Sequence, residues 1–116
     1  MCKNKKYLLR FAKQNLATWE HIKSGEKDIE TRAGTVKYTS IKSGDTLTLS
    51  CNGKKLYKKV KKVTYFKTIA GLVKKYNPER INPGVKTLKE MQAMYYSYPR
   101  YKEKIAQFGI LAFELE

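Results

Sequence analysis

Three side chains of complementary chemistry stand within six residues: Lys27, Glu30 and Arg32. The segment Lys27–Arg32 has a period of two, with Ile29 and Thr31 on one face and Asp28, Glu30 and Arg32 on the other. An ammonium, a carboxylate acceptor and a planar guanidinium fork therefore fall within one small patch. Such a set can grip a base edge and a phosphate, which makes Lys27, Glu30 and Arg32 candidate ligand-binding residues. The same residues also read as a Lys27–Glu30 or Glu30–Arg32 ion pair on a solvated strand. In a hydrolytic scheme, Lys27 and Glu30 are the candidate catalytic pair: a lysine with its pKa lowered by burial and neighbouring cations would assist a glutamate general base toward a bound nucleotide.

A second basic feature follows. Lys54, Lys55, Lys58, Lys59, Lys61 and Lys62 crowd into nine residues, interleaved with Tyr57. Lys55 and Lys59 on a phosphate backbone, with Tyr57 stacking a base, is the pattern of a single-strand binder. The competing reading is an edge strand guarded by lysines against sheet-to-sheet association. Of the run Tyr95, Tyr96, Tyr98 and Tyr101, Tyr95 reads as core, and Tyr98 or Tyr101 as rings available to stack on a ligand. No metal or cofactor is expected. His21 is the lone histidine, the two cysteines are far apart, and no carboxylate pair has ligand spacing.

The elements that must position these groups can be read from pattern. Tyr7–Phe11 reads as a strand. Leu16, Trp19 and Ile22 recur at helical spacing, with Asn15 or Thr18 as candidate caps and Gly25 as the stop. Ser43-Gly44-Asp45 turns into the alternating strand Thr46–Cys51, with Asp45 expected to bond backbone N–H groups two residues on. Asn52-Gly53 then supplies a type I′ hairpin turn. Pairing Cys51 with Lys54 sets Leu49 opposite Leu56, Thr48 opposite Tyr57 and Ser50 opposite Lys55. The return strand to about Phe66 changes parity, which calls for a bulge near Lys61. Ile69, Leu72, Val73 and Tyr76 trace a helix behind Thr68, ended by Asn77-Pro78. Thr87-Leu88-Lys89-Glu90 matches a capping box, Tyr101–Gln107 a short helix, and Ile110–Leu115 a closing strand. The order of strands and helices predicts an α+β fold in one domain, residues 1–116.

Composition bounds the partners. The 116 residues carry a formal charge of +15, which favours polyanions, nucleic acid foremost, although a lysine-heavy chain can also reflect an AT-rich genome. The 41% apolar fraction, with nine tyrosines and four phenylalanines, is enough to fold. Cys2, in a loose terminus, and Cys51, near a turn, lack framework spacing, which suits a reducing compartment. The apolar cluster within Met1–Phe11 is too short for a signal peptide and no stretch could span a bilayer, so the cytoplasm is the expected location.

Two signatures now stand in order: Gly25-Glu26-Lys27-Asp28-Ile29-Glu30-Thr31-Arg32, and, nine residues later, Ile41-Lys42-Ser43-Gly44-Asp45-Thr46-Leu47. Together with the Trp19 helix and the terminal Phe108-Gly109 before the last apolar strand, they resemble the ASCH family over about the whole chain. The resemblance implies a PUA-like mixed β-barrel of about five to six strands flanked by three to four short helices. It also implies a cleft beside the G-x-K-x-I-E-x-R strand that holds RNA or a nucleotide-like ligand. Some relatives are small amidohydrolases acting on acetylcytidine with a lysine, a threonine and a glutamate. Lys27 matches that lysine, but Glu30 stands where the threonine would be, and Thr31 is displaced by one. Neither Glu79 nor Glu90 is a secure counterpart of the glutamate, so that mechanism does not carry over.

Overall fold

The computed structural model describes residues 4–116, which leaves Cys2 outside the described residues. Five strands form one sheet: β1 (Lys6–Phe11), β2 (Ile29–Ala33), β3 (Thr46–Cys51), β4 (Lys54–Phe66) and β5 (Ile110–Leu115). Five short helices flank it: α1 (Leu16–Ser24), α2 (Ile69–Lys75), α3 (Pro78–Ile81), α4 (Leu88–Tyr96) and α5 (Tyr101–Phe108). The strand order is β1-β3-β4-β5-β2, curled into a half-barrel with β1 and β2 at its two edges. This is the α+β, PUA-like mixed barrel that the sequence implies. Its helices outnumber the expectation because Asn77-Pro78 does more than end α2. The Asn77 side chain accepts a hydrogen bond from the Glu79 backbone N–H, and Pro78 opens the one-turn α3.

Local turn chemistry sets the register. Asn52 and Gly53 take positive φ of 50° and 81°, and β3 and β4 pair with Leu49 opposite Leu56, Thr48 opposite Tyr57 and Ser50 opposite Lys55. The register shift falls between Val60 and Lys62. It lets β4 serve two neighbours, its first half pairing with β3 and its second with β5. The reading of this strand as a sheet edge is corrected in part: β4 is central in the strand order, but residues 54–58 pair with β3 alone and keep a free edge on their other side. β1 pairs with β3 in parallel, Leu9 beside Leu49, a long-range contact that no local signal announces.

One face of the sheet buries Leu9, Leu47, Leu49, Val60 and Phe113 against Trp19 and Ile22 of α1, and the Trp19 indole N–H donates to the Leu49 carbonyl at 2.8 Å. The other face, at the β2–β5 end, buries Ile29, Ile110 and Ala112 under Leu72, Met91 and Tyr95. Thr87 and Glu90 form the expected capping box of α4. Asn15 occupies the N-cap position of α1 but makes no side-chain cap bond, since a 3-10 turn at Lys13–Asn15 leads into the helix instead. Asp45 is buried and structural, yet its carboxylate accepts from the upstream Lys5 and Lys42 N–H groups at 2.9 and 2.8 Å rather than from residues that follow it.

Candidate functional site

Strand β2 sits at an edge of the curled sheet, yet it is buried on both faces, with Lys27 and Glu30 only 3% and 5% exposed. The competing reading of a solvated strand is corrected here, although both ion pairs it named are present, and pairing is what permits the burial. Glu30 Oε1 lies 3.1 Å from Lys27 Nζ, while Oε2 accepts from Arg32 Nε at 3.2 Å and its terminal nitrogen at 3.0 Å. The Thr31 N–H adds a fourth donor at 3.1 Å. Lys27 also donates to the carbonyls of Ile29 and Ile81, so three acceptors match the three hydrogens of its ammonium. The Ile81 carbonyl is held in place by α3, which a two-pronged Arg80–Asp28 ion pair ties to the segment before β2, both contacts at 3.0 Å.

Arg32 closes the gap between the two edge strands. Its guanidinium reaches the Arg10 carbonyl on β1 at 3.4 Å and lies between the rings of Phe11 and Tyr38, with centroids 5.1 and 5.7 Å away. These partners were not legible in sequence, because Phe11 and Tyr38 come from segments with no pattern linking them to Arg32.

The pKa directions follow from this geometry. Burial pulls the Lys27 ammonium below its ordinary value, and Glu30 only partly resists. Burial pushes the Glu30 carboxyl up, but the charges of Lys27 and Arg32 and their hydrogen bonds outweigh it, leaving Glu30 below its ordinary value and ionised. Two cations against one carboxylate leave the cluster with one net positive charge.

Above the cluster opens a hollow of about 260 Å³. Lys27, Glu30 and Arg32 line it together with Tyr95, Tyr98 and Tyr101 and with Phe11, Asn15 and Thr18. Tyr95 is core, as expected, and its hydroxyl hydrogen-bonds Thr31 Oγ1. Its ring lies parallel to that of Tyr101 at 6.3 Å, and Tyr98 meets Tyr101 edge-on at 5.5 Å. Burial, reinforced by Glu30, raises the Tyr98 pKa, so its hydroxyl stays a donor. Among the described residues that hydroxyl has no protein partner, and Tyr98 lines the hollow. The sequence candidates thus divide. Lys27, Glu30, Arg32 and Tyr98 come together, whereas Lys55, Tyr57 and Lys59 stand exposed on β4, outside the hollow. Arg10, Asn82 and Met94 line the hollow without having been singled out, since each lies in a segment whose pattern speaks only for its element.

Among the described residues, no group of three His, Cys, Asp or Glu side chains is placed to hold a metal ion, and no helix is long and apolar enough to cross a membrane.

Fold and site together define an α+β half-barrel protein whose hollow lies between its two edge strands, over a buried cluster of charges. In solved structures this architecture recurs in hypothetical protein PH0355, whose crystal structure is 30% identical and superimposes with a TM-score of 0.81, over 96% of this chain and 97% of that one. The chain belongs to the same family as that protein. Protein PF0455 from Pyrococcus furiosus, solved by NMR, is 29% identical with a TM-score of 0.68, over 96% of each chain. No protein-family model and no curated protein matches the sequence.

Proposed function

We propose that this chain is an ASCH domain, acting in the cytoplasm, that binds RNA or a nucleotide-like ligand by seating one unpaired base in the hollow over Glu30. The observation that carries this reading is the pairing of three tyrosines, with a free Tyr98 hydroxyl, and a charge cluster of net charge +1 at one concave site. At about 260 Å³ the hollow falls just under the usual ligand-pocket range of roughly 300–1,000 Å³, which suits a single base and excludes a duplex. Flat rings take a base on their faces, and the Tyr98 hydroxyl offers its edge a hydrogen bond.

A hydrolase using Lys27 and Glu30 is the alternative, and the hydrogen bonding weighs against it. A general base needs a free lone pair within reach of the proton it takes. Here the Glu30 oxygens receive four donors and the Lys27 hydrogens meet three acceptors.

Tyr98→Phe tests the binding reading, since it keeps the ring and deletes the hydroxyl. Affinity for a random-sequence RNA decamer, followed by fluorescence anisotropy, is expected to fall about two- to tenfold, the worth of one hydrogen bond. Tyr98→Ala should cost more, because one base–aromatic stack contributes about 1–3 kcal/mol. Wild-type affinity in both variants would remove Tyr98, and the hollow with it, from the binding site.

A further inference from the structure

The curled sheet is covered unevenly. Helices pack over the end that carries β2 and β5, while the outward face of β1, β3 and the first half of β4 is open. Register places residues on that face in rows. Arg10, Ser50 and Lys55 form one, and Leu8, Thr48 and Tyr57 the next. A third row brings Lys6 and Lys59 to either side of Thr46. The inward alternates Leu9, Leu47 and Leu49 are fully buried, whereas Leu8 and Tyr57 are 44% and 61% exposed. Among the described residues the face thus holds four cations, an exposed aromatic ring in its middle row, and one carboxylate at its rim, Glu116, whose backbone exchanges both hydrogen bonds with Lys59.

This face is continuous with the hollow. Arg10 stands in its first row and also lines the hollow, beside the point where Arg32 reaches across to the β1 carbonyl. From this continuity we propose that the open face is a second site, which tracks the backbone of a single polynucleotide strand whose unpaired base occupies the hollow. Arg10 marks the crossing point, Lys55 and Lys59 contact successive phosphates, and Tyr57 stacks a flanking base. The inference rests on the hollow being a base site. The occupant is argued from charge complementarity: four cations against the single rim carboxylate of Glu116 attract a polyanion, and an exposed ring amid lysines stacks bases of any sequence. A partner protein would face four cations and three hydroxyls with only two isolated apolar side chains, too few for a buried interface core.

The test uses the full chain with labelled random-sequence decamers of RNA and DNA, titrated across salt. Four phosphate contacts on the face predict a log-log salt slope of about −2.8, at about −0.7 per contact for a single strand. Lys55→Glu with Lys59→Glu should reduce that slope to about −1.4 and weaken binding at least tenfold at low salt, and Tyr57→Ala should weaken it severalfold with the slope unchanged. All three side chains are exposed, so these variants keep the wild-type melting profile. Binding of the DNA decamer with the same slope supports a face that reads the backbone. If the face variants bind like wild type while Tyr98→Ala does not, the face is overturned and the base site stands. If the face variants lose binding and Tyr98→Ala does not, the face binds strands by itself and the base reading falls. No binding of either decamer by the wild-type chain overturns both.

Discussion

Glu30→Ala is expected to destabilise the fold by about 3–5 kcal/mol, the range for removing one partner of a buried ion pair. The cost arises less from the lost contacts than from what is left behind. Lys27 would keep two carbonyls but lose the carboxylate that holds its ammonium against burial, and Arg32 would keep its place at the β1–β2 gap with its main counterion gone. Lys27→Met should cost less, about 1–3 kcal/mol, because Glu30 keeps Arg32 and the chief loss is the donor to the Ile29 and Ile81 carbonyls. Urea unfolding at neutral pH measures both. A Glu30→Ala cost smaller than that of Lys27→Met would contradict a cluster centred on the carboxylate.

The same cluster sets an acid limit. The Glu30 carboxyl titrates below its unfolded value of 4.5, so the folded state binds fewer protons than the unfolded chain in the window between the two. Its contribution is complete above about pH 4.5 and drains away as pH falls through the lower folded value. Glu30→Gln should flatten the fall of stability across that window, as seen in unfolding midpoints taken at a series of pH values.

Gly109→Ala has the second largest expected effect, about 2–5 kcal/mol from backbone strain and overlap combined. Gly109 turns the chain from α5 into β5 at φ of 73°. A Cβ there would lie 2.6 Å from the Phe66 carbonyl oxygen and 2.5 Å from the Tyr65 hydroxyl. The tyrosine tip can swing away, but the carbonyl belongs to the β4 backbone. Gly109 also accepts the Gly34 N–H at 2.9 Å, just beyond the Ala33–Ile110 pair that ends the β2–β5 ladder. Strain at this point therefore reaches the strand that carries Glu30 and Arg32. The melting temperature of Gly109→Ala checks it, and a wild-type value would show that the turn tolerates a side chain.

What the sequence made legible was local. Asn52-Gly53 dictated a hairpin register that the structure reproduces pair by pair, and the parity change in β4 located the bulge, because both depend on neighbours a few residues apart. Period two also separated Glu30 and Arg32 from Ile29 and Thr31. It could not tell whether the polar side faced water or the interior, since that depends on α3 delivering the Ile81 carbonyl and β1 delivering Phe11. The lysines of β4 misled for a related reason. They are exposed because one face of the sheet is bare, and whether a second strand lies alongside depends on β5, which pairs only with the second half of β4. Thr31 and Tyr95 meet across 64 residues of sequence, a separation over which no periodicity carries information.

The central claim is that a base enters the hollow over Glu30. Aromatic NMR of the protein, with the Tyr98 and Tyr101 ring signals followed through titration with the RNA decamer, tests it most directly. Large ring-current shifts at both rings that saturate with the anisotropy curve are expected, together with a shift of the Arg32 Nε–H. Saturating binding that moves Tyr57 and leaves Tyr98, Tyr101 and Arg32 where they stand in the free protein would contradict it.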